Sequence, residues 1–459
     1  MISFRLSTIA SILRADWIGE DVCIETVTTD SRTLGATMKR KCLFVALKGD
    51  RFDAHDFAKQ AISTSFCSAL LVNRPIPLTV PQLIVTDTKR ALGQLGAWVR
   101  RQVSARIVAV TGSSGKTTVK EMTAAILRQC GNVLATQGNF NNEIGVPLTL
   151  LRLTPIHDYA VIEIGANRLG EISWITSLVR PEAALINNLF IAHLTGFGSL
   201  SAVAKAKGEI FSGLSINGRG IFNADSHDWK NWKKDLDQRN IWRFATQATN
   251  NVDFFASHIE ENLKGIRFLL HTPSGACAVR LPLLGIHNVS NALAACALSM
   301  SVGASLSSVV AGLKKIQPLP GRLFPILLGR NQLLLDDSYN SNVGSMIAAI
   351  RVLLKIPGYK VMVVSDMAEL GNNTAAYHWN IGKIIAATSG IDKILSIGYF
   401  SYLISNASRR GEHFQNKAIL IDRILLLLSE KKPTTILIKG SRNAVMEQVV
   451  LSIQERVSC

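Results

Sequence analysis

The feature that most limits the fold of this 459-residue chain is a short apolar segment followed by a glycine-containing turn and Lys-Thr. The segment reads Val108-Ala109-Val110-Thr111-Gly112-Ser113-Ser114-Gly115-Lys116-Thr117-Thr118. A short, almost continuously apolar run is typical of a buried parallel strand. The pattern after it predicts a helix over residues 116–130. Together they predict a strand–turn–helix unit inside a parallel α/β sheet.

The turn has the composition of a phosphate loop. Backbone N–H groups of such a turn and of the helix N-terminus converge on phosphate oxygens. Lys116 can neutralise β- and γ-phosphate charge, and the Thr117 hydroxyl can ligate Mg²⁺. Val110 stands where the general GxxxxGK[ST] pattern has its first glycine, and the alternative is an ordinary glycine turn with a surface lysine. The predicted nucleotide contacts are Thr111, Gly112, Ser113, Ser114, Gly115, Lys116, Thr117 and Thr118.

Two proline-rich stretches divide the chain into three predicted domains, at residues 1–82, 83–316 and 317–459. The middle segment has buried strand patterns at 107–110, 159–164 and 183–187. The last segment has them at 332–336, 360–365, 391–397 and 434–439. Strands that alternate with helices form doubly wound sheets. We therefore expect an α/β protein with a small N-terminal α/β domain, a central doubly wound parallel-sheet domain and a C-terminal Rossmann-like domain.

Composition excludes several classes of protein. The formal net charge is +17, but the basic residues are spread along the chain and not gathered into an aromatic-containing stripe, so we expect no nucleic-acid partner. A positive field suits an anionic substrate. The seven cysteines include no CxxC pair, which argues against a disulfide framework or a zinc site and favours buried or inert thiols. Neither a convincing signal peptide nor a membrane span is present, so a cytoplasmic protein is expected.

Polar residues follow the predicted strands of the middle segment. In a parallel sheet, ligands bind beyond the carboxyl ends of the strands. Glu163 ends one strand near the phosphate loop, where its carboxylate could hold Mg²⁺. His193 follows the next strand, although a lone histidine is more often structural. Lys205 and Lys207 lie on a predicted helix, where a solvated charged face is the alternative.

Taken together, the motifs resemble the Mur ligase family along essentially the whole chain. The motifs that carry this resemblance are TGSSGKT at 111–117, GNFNNEIGVP at 138–147, the strand ending at Glu163, His193, Lys207, GIHNVSN at 285–291 and DSYN at 337–340. The resemblance implies a substrate domain, a central ATP domain and a C-terminal domain that closes over the site. It also implies ATP and Mg²⁺ as cofactors.

The resemblance further implies roles for single residues. Lys116, His193 and Lys207 are the implied catalytic residues, and Thr117, Glu163, His193 and Lys207 are the implied magnesium ligands. Lys207 matches a lysine that the family carbamylates, with Lys205 as the fallback. The remaining implied nucleotide contacts are His287, Asn288, Asn291, Arg322, Asp337 and Tyr339, with Asn340 and Asn342 in the same loop. Ile286, Arg168, Ser341, Val343 and Ser365 depart from the family pattern without removing an implied ligand.

The N-terminal motifs TDSR at 29–32 and FVALKGDRFDAH at 44–55 imply a finer substrate assignment. They resemble members that join D-alanyl-D-alanine to a UDP-N-acetylmuramoyl-tripeptide through an acyl-phosphate. The expected protein is a monomeric ligase. Its implied substrate-binding residues are Ser31, Arg32, Lys48, Arg51, Asp53, His55 and Asn142. Two alternatives stay open, a folylpolyglutamate-type synthetase and a P-loop NTPase that acts as a switch.

Overall fold

Three sheets of five or six strands follow one another along the chain, each flanked by helices. The computed structural model describes residues 1–33, 41–49, 52–63, 66–190, 194–226, 232, 236, 240–248, 251–430 and 432–458. The α/β class with three sheet-centred units is confirmed, whereas the boundaries at residues 82 and 316 stay predictions. Among the described residues, no helix is both long and apolar enough to cross a membrane.

The N-terminal unit is a five-stranded sheet in the order β2-β7-β6-β5-β4, beside a small antiparallel pair formed by β1 and β3. Only β2 and β7 pair antiparallel within the larger sheet. Alternate residues of β5 enter two different cores, as the two-residue period of a strand requires. The strands are β1 Phe4–Arg5, β2 Asp16–Ile18, β3 Cys23–Ile24, β4 Thr26–Thr28, β5 Cys42–Val45, β6 Cys67–Val72 and β7 Gln82–Ile84. The α-helices are Leu6–Leu13 and Ala58–Ile62, and 3-10 turns occupy Ser31–Thr33 and Ala54–Phe57.

The central unit is an all-parallel sheet in the order β13-β12-β11-β8-β10-β9. Its strands are β8 Arg106–Thr111, β9 Val133–Ala135, β10 Tyr159–Glu163, β11 Ala183–Ile186, β12 Arg219–Asn223 and β13 Ile241–Phe244. Helices Thr88–Arg101, Lys116–Leu127, Gly145–Leu150, Glu171–Val179, Leu194–Phe197, Leu200–Gly208, His287–Met300 and Leu306–Lys315 and the 3-10 turn Glu209–Gly213 complete it. Strand β8 is buried on both faces, because Ile107 and Ala109 enter one core and Val108 and Val110 the other.

The connections of this sheet create a crevice. After β8 the chain moves to β9 and β10 on one side, and after β11 it moves to β12 on the other side. Neighbouring strands whose connections leave in opposite directions open a crevice beyond their carboxyl ends, where ligands bind in α/β sheets. The crevice therefore lies at the ends of β8 and β11.

A three-stranded antiparallel sheet, which the sequence analysis did not predict, follows the central sheet. It consists of β14 Phe255–Asn262, β15 Gly265–Thr272 and β16 Gly275–Leu281. Glycines with positive φ, Gly265 at 125° and Gly275 at 118°, begin its second and third strands. Short turns that contain glycine are a hairpin signal, so this element was detectable.

The C-terminal unit has the order β17-β18-β22-β19-β20-β21, in which only β17 pairs antiparallel. Its strands are β17 Phe324–Gly329, β18 Gln332–Asp337, β19 Tyr359–Ser365, β20 Lys393–Ile397, β21 Gly411–Phe414 and β22 Thr434–Lys439. Helices Val343–Lys355, Thr374–Ala387, Tyr402–Ser408, Lys417–Ser429 and Glu447–Ser458 and 3-10 turns Gly371–Asn373 and Arg442–Ala444 complete it.

The cysteines only partly follow the expectation of buried thiols. Cys42, Cys67 and Cys296 are buried, whereas Cys23 and Cys130 are exposed. Burial raises the pKa of Cys42 to about 12, so that thiol is unreactive at neutral pH.

Candidate active site

A cavity of about 1230 Å³ lies at the crevice of the central sheet. Its lining comes from the segments after β8, β10, β11 and β12 and from the ends of β18 and β22. The structure thus brings together most residues that the sequence analysis selected. Those that line the cavity are Ser113, Ser114, Gly115, Lys116, Thr117, Thr118, Asn142, Glu163, Lys207, His287, Asn288, Asn291, Arg322, Asp337 and Tyr339. Thr111 and Gly112 lie behind the lining, and His193 lies outside the described residues.

The phosphate loop presents free N–H groups at the start of a helix. Gly115 is the N-cap of helix Lys116–Leu127, with φ of 75° and ψ of −2°, a left-handed conformation that favours glycine. The first N–H groups of a helix have no partner within it. Among the described residues, no acceptor bonds the N–H groups of residues 115–118, although Ser113 and Ser114 donate theirs to Asn188. The helix start is therefore the part of the loop that can take phosphate oxygens.

Lys116 lies at the base of this loop. Its Nζ donates to the carbonyl oxygen of Gly112 at 2.9 Å. Burial lowers the pKa of Lys116, Glu163 opposes that shift, and repulsion from Arg322 adds to it. A phosphate group would supply the negative charge that these two cations lack.

Thr117 and Glu163 form a fixed pair of oxygen ligands. The Thr117 hydroxyl donates to Glu163 Oε2 at 2.9 Å, and Asn141 Nδ2 donates to Glu163 Oε1 at 2.8 Å. Arg322 Nη2 donates to Thr117 Oγ1 at 2.9 Å, across 205 residues of sequence. This contact joins the C-terminal unit to the phosphate loop.

The structure distinguishes the two candidate lysines. Helix Leu200–Gly208 exposes Lys205 and buries Lys207, whose exposed fraction is 2%. No hydrogen bond or ion pair joins the Lys207 amine to another described residue, and the side chain lines the cavity. Burial, and then repulsion from Lys116, lowers the pKa of Lys207 well below its ordinary value. The solvated-face alternative is therefore wrong for Lys207.

A chain of side-chain amides crosses the cavity wall. Asn288 Nδ2 donates to the Leu284 carbonyl at 2.7 Å, and Asn291 Nδ2 donates to Asn288 Oδ1 at 2.9 Å. Asn187 Nδ2 donates to Asn291 Oδ1 at 2.9 Å. Beside this chain, burial and repulsion from Lys439 lower the pKa of His287 to about 4. His287 is therefore neutral at pH 7.

The C-terminal unit contributes an ion pair and an aromatic ring. Lys439 Nζ donates to Asp337 Oδ2 at 2.6 Å and to the Asn340 carbonyl at 3.0 Å. Arg322 lies over the Tyr339 ring, 4.5 Å from its centroid. The ends of β18 and β22 thereby hold the loop after β18 against the cavity.

Comparisons with known proteins identify the family of the chain. The Mur ligase middle domain matches residues 110–299, and the Mur ligase, glutamate ligase domain matches residues 321–442. An Escherichia coli (strain K12) protein described as UDP-N-acetylmuramoyl-tripeptide--D-alanyl-D-alanine ligase is 59% identical over 459 residues, which is 100% of each chain. The chain belongs to the Mur ligase family.

Solved Mur ligase structures share the fold of this Mur ligase. MurF from Acinetobacter baumannii superposes with a TM-score of 0.93 at 36% identity, covering 99% of both chains. The MurF ligase from Thermotoga maritima in complex with ADP gives a TM-score of 0.83 at 24% identity, covering 95% of this chain and 98% of that one. At that identity the second likeness shows the fold alone.

The substrate residues implied for the N-terminal unit of this Mur ligase do not line the cavity. Arg32 pairs with Asp30 at the surface, and Ser31 begins a 3-10 turn. The main chain of Lys48 forms an isolated antiparallel β-bridge with that of Asp53. His55 is buried, and its Nε2 accepts the N–H of Asn73 at 3.0 Å while Nδ1 faces Asp53. Arg51 lies outside the described residues, so the implied sugar site stays a prediction.

Several residues of this Mur ligase site were not predicted from the sequence. Asn187 and Asn188 directly follow β11, and Lys439 ends β22. The rule that selected Glu163, a polar residue at the carboxyl end of a buried parallel strand, also applies to these three. Asn141 lies in the GNFNNEIGVP motif, where only Asn142 was selected.

Proposed function

We propose that this Mur ligase joins D-alanyl-D-alanine to UDP-N-acetylmuramoyl-tripeptide with ATP, giving ADP, phosphate and the UDP-muramoyl-pentapeptide precursor of peptidoglycan. The observation that carries the proposal is the free helix start at residues 115–118 beside Lys116 and the Thr117–Glu163 pair. The activity named for the full-length E. coli relative supports it. Its identity over the whole chain favours this reading over a folylpolyglutamate-type synthetase or an NTPase switch.

Chemistry at this site has to activate a carboxylate, because its carbonyl carbon is a poor electrophile. In the first step a carboxylate oxygen of the tripeptide attacks the γ-phosphorus of ATP. The bond from that phosphorus to the β–γ bridging oxygen breaks, and ADP leaves. In the second step the dipeptide amine attacks the acyl carbon, phosphate leaves, and the nitrogen loses a proton. The product is an amide.

The residues of the chain contribute positioning and charge to both steps. The N–H groups of residues 115–118 hold β- and γ-phosphate oxygens. Lys116 Nζ moves from the Gly112 carbonyl to the phosphates, and Arg322 brings a second positive charge from the C-terminal unit. Closure of that unit excludes the water that would hydrolyse the acyl-phosphate. No Ser-His-Asp or Cys-His set is required.

The donor set fits a magnesium ion. Mg²⁺ is commonly held by one or two carboxylates together with substrate phosphates, and Thr117 and Glu163 offer adjacent oxygens. Among the described residues, no group of three or more His, Cys, Asp or Glu is suited to a metal. Oxygens of the substrate phosphates would therefore complete the set of magnesium ligands. When bound, the ion neutralises charge on the transferring phosphoryl group. His193 is the further proposed ligand.

Lys207 suits the modification that the family resemblance implies. An amine with a lowered pKa has its lone pair free to attack carbon dioxide, and the nitrogen then loses a proton. Carbamylation thus turns a buried neutral amine, which has no partner among the described residues, into an anionic carboxylate. Such a group would face the phosphate loop. We therefore propose that carbamylated Lys207 supplies a carboxylate to a second Mg²⁺.

The location and assembly of the protein rest on sequence reasoning alone. The cytoplasmic location and the monomeric state stay predictions. The implied sugar site at Ser31, Arg32, Lys48, Arg51, Asp53 and His55 stays one also. Asn142 lines the cavity, which supports a substrate contact there.

The test is phosphate release from ATP with and without each substrate. Release should require both the UDP-tripeptide and D-alanyl-D-alanine, and Lys116→Ala should abolish it. Equal turnover without the dipeptide would refute the ligase. Parallel assays with the diaminopimelate and lysine tripeptides would identify the third residue of the peptide.

A further inference from the structure

Asn188 forms three hydrogen bonds with Ser113 and Ser114, which make up the outer limb of the phosphate loop. Its Oδ1 accepts the N–H of Ser114 at 2.9 Å, and its Nδ2 donates to the Ser114 carbonyl at 3.0 Å. The main-chain oxygen of Asn188 accepts the N–H of Ser113 at 3.0 Å. The side chain thus imitates a neighbouring strand towards Ser114, and together with the main-chain oxygen of Asn188 it engages the N–H groups of Ser113 and Ser114.

Asn187 connects the same loop residue to the chain of amides. Its Nδ2 donates to the Ser114 carbonyl at 3.0 Å and to Asn291 Oδ1 at 2.9 Å. The Asn187 side chain is buried, and its Oδ1 has no partner among the described residues. A buried acceptor without a partner lowers stability. The structure tolerates this cost at Asn187, whose Nδ2 joins the phosphate loop to Asn291.

We propose that Asn187 and Asn188 are positioning residues that hold the phosphate loop ready for ATP and couple it to the segment 284–291. The proposal rests on ATP binding in this cavity and adds the parts that position the loop. The loop is divided into an outer limb, Ser113 and Ser114, fixed by asparagine, and the helix start at residues 115–118, free for phosphate. A loop that is already ordered loses less entropy when the ligand binds.

The first test uses the wild-type protein and hydrogen exchange at residue resolution. In the absence of nucleotide, the amides of Ser113 and Ser114 should be protected, whereas those of residues 115–118 should exchange quickly. ADP should then protect the second group. Equal exchange of both groups in the free protein would overturn the proposal.

The second test measures ATP affinity in variants. Asn188→Ala should raise the Kd for ATP about tenfold, equivalent to about 1.4 kcal/mol, and leave the Kd for the UDP-tripeptide within twofold. Asn416→Ala is the control, because that side chain also accepts a main-chain N–H, of Ile419 at 3.0 Å, but lies outside the cavity. Unchanged ATP affinity, or equal loss for both ligands, would overturn the positioning role.

A double-mutant cycle tests the coupling. Because Asn187 and Asn291 share a hydrogen bond, combining Asn187→Ala with Asn291→Ala should weaken ATP binding by less than the sum of the two single effects. Fully additive losses would refute the coupling. A wild-type protein that binds no ATP would instead refute the proposed function, so the two failures are distinguishable.

Discussion

Replacing Gly115 with alanine should damage the phosphate loop in two ways that the structure separates. The first is conformational, because φ of 75° is left-handed and costs an alanine about 1–2 kcal/mol. The second is steric. A Cβ at this position would lie 2.5 Å from Asn291 Oδ1 and 2.6 Å from Asn187 Nδ2. Overpacking of this kind costs a further 1–3 kcal/mol or so.

Gly170 provides a matched control for the conformational effect. It is also a helix N-cap with left-handed backbone, φ of 87°, and a Cβ there would meet nothing within 4 Å. Gly170→Ala should therefore show the conformational cost alone. The two variants should therefore differ in free energy of unfolding by the steric cost, about 1–3 kcal/mol. This corresponds to roughly 2–12 °C in the melting temperature of a domain of 150–250 residues.

The assay combines thermal melts with ATP titrations of both variants. Gly115→Ala should melt at the lower temperature and bind ATP at least tenfold more weakly, because its Cβ displaces the amides beside the loop. Gly170→Ala should keep the ATP affinity of the wild type. If both variants lost the same stability and Gly115→Ala still bound ATP normally, the steric argument would be refuted.

Two further predictions concern charged groups. Lys207→Ala should lose ligase activity, and short carboxylic acids should partly restore it. Lys205→Ala changes an exposed lysine on the same helix and should remain active. Failure of the acids to restore turnover would count against a carbamate. Glu412→Gln should lower the free energy of unfolding by about 1–2 kcal/mol at pH 7 after allowance for solvent screening, because Arg423, and then Lys393, lowers the pKa of Glu412 to about 2. A lowered carboxyl pKa stabilises the fold above pH 4.5, and that contribution fades as the pH falls towards 2. The urea midpoints of wild type and variant should therefore converge between pH 7 and pH 3. A difference that stays constant with pH would contradict the assignment.

The parallel sheets were predictable because their strands are short, apolar and bounded by turns. The run 107–110 became β8, and the four strand patterns of the last segment each became a strand. Tertiary context set the ends, so that the helix after the phosphate loop stops at Leu127 and not at residue 130. The antiparallel sheet β14–β16 was missed because its exposed residues interrupt the apolar pattern.

The choice between Lys205 and Lys207 shows what the sequence contained and what it did not. Residues two apart on a helix point in nearly opposite directions, so only one lysine could face the cavity. Lys207 lies four residues after the buried Val203 and three residues before the buried Ile210, which is the spacing of one apolar helix face in the sequence. This signal indicated a buried lysine. That the face meets a nucleotide cavity depended on how the helix packs.

Under the proposed function, the charges that line the cavity favour a polyanion that reaches both halves of the chain. Arg322 lies close enough to Lys116 to lower the pKa of Lys116, and Glu163 is already shared with Thr117 and Asn141. The unpaired N–H groups of the helix start add partial positive charge at the same point. A neutral ligand would leave all these donors unsatisfied, and a single anion could satisfy only one half. A nucleoside triphosphate could contact the helix start and Arg322 together, and under the proposed function its binding would favour the closed arrangement that amide formation needs.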